Sequence, residues 1–133
     1  MFFSCLGSAY GTAKSSVGIS KLVILAPQKT LQSLVPVIMS GILSIYGMII
    51  AIITYNKVKS TSECTTDYGY KIFGSGLVVG LSALASGLAI GYAGDSLVRA
   101  YARTDAVFVA MVLILIFAEC IALYGFIVSI LMT

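Results

Sequence analysis

The chain has 133 residues, of which 59% are hydrophobic and only 10% charged, with a net charge of +3 and a mean hydropathy of +1.06. Soluble domains carry about 25% charged residues, so this composition excludes an ordinary soluble domain and indicates an integral membrane protein. The basic residues are spread among connecting segments without a block of like charge, so no nucleic-acid partner is expected, and the absence of histidine removes imidazole metal sites and histidine acid–base chemistry.

Residues 1–13 are apolar, but as a helix they rise only about 20 Å, too little to cross roughly 30 Å of hydrocarbon alone. They read as the tail of a helix whose beginning is missing. No Lys or Arg precedes Lys14, so the basic start of a cleavable signal peptide is absent. Residues 14–29 are expected to form a polar loop. The uncharged run between Lys29 and Lys57 is long enough to span and predicts a second helix, its start constrained by Pro36. A polar loop "NKVKSTSECTTDYGYK" follows, then a third spanning run between Lys71 and Asp95, a loop at 95–105, and a fourth run after Asp105.

The chain contains an internal repeat. "GSAYGTA" at 7–13 aligns with "GLAIGYA" at 87–93, and "IYGMIIAI" at 45–52 aligns with "LYGFIVSI" at 123–130. Each half reads as a glycine-rich helix, a polar loop and a bulkier Ile/Leu/Val helix. The fold class expected is therefore an all-α membrane protein, a duplicated transmembrane hairpin with repeats at 1–56 and 57–133. The outer loops carry Lys14, Lys21, Lys29, Arg99 and Arg103 against Lys57, Lys59 and Lys71 around the middle loop, a bias that puts the outer loops in the cytosol.

Gly7/Gly11, Gly76/Gly80 and Gly87/Gly91 are GxxxG pairs, a spacing that lets helix backbones approach closely. Such pairs on both odd-numbered helices suggest a crowded inner ring of many copies rather than contacts within one molecule alone. Cys5, Cys64 and Cys120 show neither CxxC nor metal-type spacing and read as small filler.

The fourth run holds one charge, Glu119, in "LILIFAECIALYG", with no other from Ala106 to Thr133. Aligning the two Tyr-Gly pairs places Glu119 opposite Gly41, so only one half has a carboxylate. An ionisable group at the bilayer centre is costly, about 2.5–3.5 kcal/mol on insertion scales, and marks an ion or proton path. Keeping a glutamic acid neutral at pH 7 costs about 3.7 kcal/mol, whereas a bare carboxylate in hydrocarbon costs on the order of tens. Glu119 is therefore expected to carry a proton while it faces lipid and to release it where water or a cation stabilises the anion. Its own helix offers no relay, so a hydrogen-bond donor must come from the second helix, where Tyr46, Ser40 and Ser44 are candidates. Sodium requires several oxygen ligands, yet the chain's amides, Gln28, Gln32 and Asn56, all lie at membrane edges or loops. A lone carboxyl among apolar groups suits a proton, and no cofactor or metal is expected.

The stretches "GSAYGTAKS", "LVPVIMSGILSIYG", "GLAIGYAGD" and "MVLILIFAECIALYGFIVSIL" resemble the proteolipid, of the c or c′ type, of eukaryotic vacuolar-type proton-translocating ATPases over nearly the whole chain. The resemblance implies a four-helix duplicated hairpin, here with a truncated first helix, that assembles with copies of itself and paralogous proteolipids into a rotor ring. It further implies Glu119 as proton carrier, a stationary a-subunit whose arginine the carboxyl passes, other membrane-sector and stalk subunits as partners, and residence in the vacuole or another acidic endomembrane compartment. On this reading the chain is a non-hydrolytic subunit of an ATP-driven pump. The glycine-rich faces alone also fit an alternative, a structural or pore-forming oligomeric proteolipid without a transport cycle.

Overall fold

The structure is a computed structural model that describes residues 1–63 and 65–133; Cys64 lies outside the described residues. Four long helices dominate: α1 (Phe2–Leu25), α3 (Val35–Ser60), α4 (Thr66–Tyr101) and α5 (Val107–Met132), with a 3-10 turn at Pro27–Lys29 and the one-turn α2 (Thr30–Ser33) between the first two. Three of the described helical segments are long and apolar enough to cross a membrane, Pro27–Ser60, Thr66–Tyr101 and Val107–Met132.

Local chemistry sets the ends of these helices. Pro27 forces Ala26 out of the helical region, to φ −143° and ψ 77°, and α1 stops there. Pro36 sits in the first turn of α3, where its missing N–H costs nothing. Thr65 caps α4 by accepting the Tyr68 N–H on Oγ1 at 3.4 Å, with Asp67 in the first turn.

The loops predicted at 14–29, 56–71 and 95–105 are largely helical. α1 runs on through Lys14 and Lys21 to Leu25, α3 reaches Ser60, and α4 covers Thr66–Tyr101. Charge and polarity mark where a chain leaves hydrocarbon, and a helix continues past that point unless something breaks it. The 36 residues of α4 make about 54 Å of helix, well beyond the apolar thickness of a bilayer. Likewise residues 2–13 are one half of a helix of 24 residues, about 36 Å long.

The glycine-rich helices α1 and α4 lie side by side and parallel, and α3 and α5 pack on them from outside. Gly7, Gly11, Gly87 and Gly91 form the seam. A Cβ on Gly7 would stand 2.6 Å from the Ala83 carbonyl oxygen, one on Gly87 would collide with the Gly7 main chain, and one on Gly91 would meet the Gly11 Cα at 3.2 Å. Gly80 abuts Phe3, 3.2 Å from its Cβ, whereas Gly76 faces open space with nothing within 4 Å. Serines tie the outer helices to the inner ones. Ser40 Oγ donates to the Ser8 carbonyl at 2.7 Å, Ser86 Oγ donates to that of Ala118 at 2.8 Å, and the hydroxyls of Ser75 and Ser129 meet at 2.7 Å.

These contacts recur at a spacing of 78 residues. Ser4 fills the space over Gly47 as Ser82 does over Gly125, and the Ser8–Ser40 pair stands where Ser86 meets Ala118. That register agrees with the Tyr-Gly alignment and puts Gly41 opposite Glu119. It differs by two residues from the match of "GSAYGTA" to "GLAIGYA". Two residues turn a helix by about 200°. The glycines of α4 therefore point back at α1 instead of repeating the direction in which the α1 glycines point, and one seam is glycine-lined on both sides.

Candidate proton-binding site

Glu119 is the thirteenth of the 26 residues of α5. The α5 residues that are fully buried, Met111, Leu115, Ala122, Gly125 and Ser129, recur at spacings of three, four or seven positions and form one stripe against α4. Glu119 sits at the edge of that stripe, half-buried. On its outer side α5 exposes Ile116, Phe117 at 72% and Leu123. The carboxyl thus lies between a packed seam and the exposed apolar face of its helix.

Across the seam, Tyr46 of α3 donates its hydroxyl to Glu119 Oε1 at 3.3 Å. The bond is longer than the usual ~2.7–2.8 Å for two oxygens, so it orients the carboxyl without binding it strongly. The phenol ring is held by Phe126, stacked at 5.0 Å between centroids and 28° between planes. Phe126 lies seven residues after Glu119, two turns along the same face, a period visible in the sequence although its role as the platform for Tyr46 was not read from it. Ser86 was missed likewise. Its bond to the Ala118 carbonyl anchors the α5 backbone to α4 immediately beside Glu119.

Ser40 does not reach the carboxyl. It precedes Tyr46 by six residues, about 120° around α3, and this turns it toward α1, where it donates to Ser8 and accepts from Thr12 Oγ1 at 3.4 Å. Ser44 is also spent within its own helix, donating to the Gly41 carbonyl at 2.8 Å. Of these three hydroxyls, the fold brings only that of Tyr46 to Glu119.

Among the described residues Glu119 forms no salt bridge. The ion pairs lie elsewhere: Lys14 with Asp95 at 4.0 Å, Arg99 with Asp95 at 3.0 Å, Lys29 with Asp105, and Lys71 with Asp67 at 3.4 Å. No group of three or more potential metal-ligating His, Cys, Asp or Glu side chains occurs among the described residues. Cys120, next to Glu119, is half-buried and unpaired among the described residues, and Cys5 is exposed. The arrangement sets one carboxyl beside one hydroxyl donor, with exposed apolar side chains on its outer side.

A family profile described as that of the ATP synthase C subunit matches residues 1–54 and 73–132. The chain belongs to the ATP synthase C-subunit family. Similarity to V-type relatives extends over its full length. It is 48% identical to the 16 kDa c-type proteolipid of the V-type proton ATPase of Nephrops norvegicus over 130 residues, covering 98% of this chain and 82% of the relative. It is 46% identical to the protein of the same name from Homo sapiens, over 100% of this chain and 84% of the relative. The V-type proton ATPase proteolipid of Dictyostelium discoideum is 44% identical over 100% of this chain and 68% of its own length. Family membership and the apolar helices together make this an all-α integral membrane protein of the ring-forming C-subunit fold.

Proposed function

We propose that this chain is the proton-carrying rotor-ring subunit of the membrane sector of a V-type ATPase, with Glu119 as the carrier. The observation that carries the proposal is the position of Glu119: midway along a 26-residue apolar helix, open to the side and, among the described residues, hydrogen-bonded only by Tyr46. The names of the relatives, V-type proton ATPase proteolipids, support the same reading.

In this reading a neutral Glu119 travels through lipid, where a carboxylate would cost on the order of tens of kcal/mol. It loses its proton where a cation of the stationary a-subunit stabilises the anion, and regains one from water on the other side. ATP hydrolysis elsewhere in the complex turns the ring, and this chain performs no hydrolysis itself. Its partners are copies of itself, paralogous proteolipids, the arginine of the a-subunit, stalk subunits and the bilayer, in a vacuole or other acidic endomembrane compartment. The halves 1–56 and 57–133 are two copies of one hairpin, supported by the 78-residue recurrence of contacts and the two matched segments.

The test is carbodiimide labelling of the assembled complex, since the reagent attacks protonated carboxyls in apolar surroundings. Labelling at Glu119 should stop ATP-driven acidification of sealed vesicles. Intact acidification after stoichiometric labelling would favour the pore-forming or structural alternative.

A further inference from the structure

At the Lys/Arg-rich end of the molecule, the ends of α1 and α4 line a cleft of about 520 Å³. Its walls carry Lys21 and Leu25 from α1, Arg99 from α4, and Arg103 and Thr104 just beyond α4, with the fully buried Leu22 at its floor. The volume falls within the roughly 300–1,000 Å³ range of small-molecule sites.

Its charge is only partly spent internally. Lys21 and Arg103 form no ion pair among the described residues, while Arg99 meets Asp95 through Nε at 3.0 Å. Asp105, the other acid at this end, is taken by Lys29, which also donates to the Tyr101 carbonyl at 3.0 Å. Basic residues near helix C-termini often do no more than offset the helix dipole, so the balance decides. Asp95 offsets one of the three cations, and the ends of α1 and α4 present about half a negative charge each. A surplus near one positive charge remains, in a concave site with an apolar floor at the membrane border.

We propose that this cleft binds the phosphate of an anionic phospholipid headgroup. The phosphate lies among Lys21, Arg99 and Arg103, and the glycerol and upper acyl region rest on Leu25, which is 67% exposed. Charge matching selects a headgroup of net charge −1 over a zwitterion, and the apolar floor selects a lipid over a free anion. Basic pockets between membrane helices at a cytosolic surface have the physical character required. The site is remote from Glu119, and its test does not depend on pumping.

The protein is purified in detergent, mixed with phosphatidylglycerol or phosphatidylcholine, and the lipid retained is counted by native mass spectrometry. Phosphatidylglycerol should be retained in preference. Lys21→Gln with Arg103→Gln should reduce its retention roughly 25-fold, two cations at about fivefold each, while Lys57→Gln with Lys59→Gln at the opposite end leaves it unchanged. Lys21→Arg should bind as the parent does. Circular dichroism on every variant guards against misfolding; the Lys21 and Arg103 side chains are exposed and form no ion pair among the described residues. Equal retention by the parent and the Lys21→Gln/Arg103→Gln protein overturns the site, as does equal retention of the two lipids. Displacement of the lipid by an equal concentration of inorganic phosphate overturns the lipid assignment in favour of a simple anion site.

Discussion

Positions 41 on α3 and 119 on α5 hold the same place in their hairpins, and their surroundings differ sharply. Glu119 receives a hydroxyl from Tyr46, whose ring is stacked on Phe126. Gly41 has nothing within 4 Å of where a side chain would begin, and Tyr124, which stands 78 residues after Tyr46, is 67% exposed and makes no hydrogen bond among the described residues. Tyr46 finds its carboxyl inside the same chain, across the α3–α5 contact. A carboxyl at 41 would depend on the Tyr124 of an adjacent copy, if copies follow one another as the hairpins do. Repetition of a backbone therefore does not repeat a site, because the partner that completes it comes from a neighbouring hairpin.

The largest expected effect breaks the comparison outright. Glu119→Gln keeps size and polarity but cannot release a proton near pH 7, so acidification of sealed vesicles should fall to background while the protein still inserts. Adding Gly41→Glu to that variant restores a carboxyl at the same depth. We expect assembly, with pumping at well under half the normal rate. Full-rate pumping in the same assay would mean that depth alone matters and the local partners do not.

A second test sets the glycine seam against open positions. Gly87→Leu drives a side chain into the Gly7 main chain and should prevent the normal particle from forming, as judged by size in detergent, whereas Gly76→Leu leaves the chain's own packing intact. A Gly76→Leu defect as severe as that of Gly87→Leu would place Gly76 in a contact between copies.

Tyr46→Phe sharpens the account of the site. Removing a weakly bonded hydroxyl worth about 0.6 kcal/mol should slow pumping roughly threefold, with the protein still assembled because the ring keeps its stack on Phe126. An unchanged rate would assign Tyr46 to packing alone. The smallest effect is expected from Ser40→Ala and Ser86→Ala, which remove the counterpart bonds of the two hairpins, donated from the outer helix in the first and from the inner helix in the second. Each should cost about 0.6 kcal/mol in a denaturant titration in mixed micelles, a typical value for hydrogen bonds between membrane helices. A clear inequality between the two would show that the hairpins are not interchangeable even as scaffolds.

Much was legible in the residues themselves. Composition required a membrane protein, the lone charge in an apolar run singled out Glu119, and the paired Tyr-Gly steps set the repeat register that the packing obeys, because these features depend only on transfer free energy and local spacing. The glycine heptapeptides misled the register by two residues, since a GxxxG pair declares that a face is crowded without saying which neighbour crowds it. Loop boundaries were misread for a related reason: polarity reports the solvent around a segment, while helix ends are set by Pro27 and the Thr65 cap. What only the tertiary structure decided is which hydroxyl meets the carboxyl. Ser40, Ser44 and Tyr46 lie within two turns of one helix, and the 100° advance per residue sends one to α1, leaves one bonded to its own backbone, and carries one across to Glu119. That choice depends on the rotation of α3 about its own axis, which is set by the serine and glycine contacts with α1 and is not encoded in the residues around Glu119.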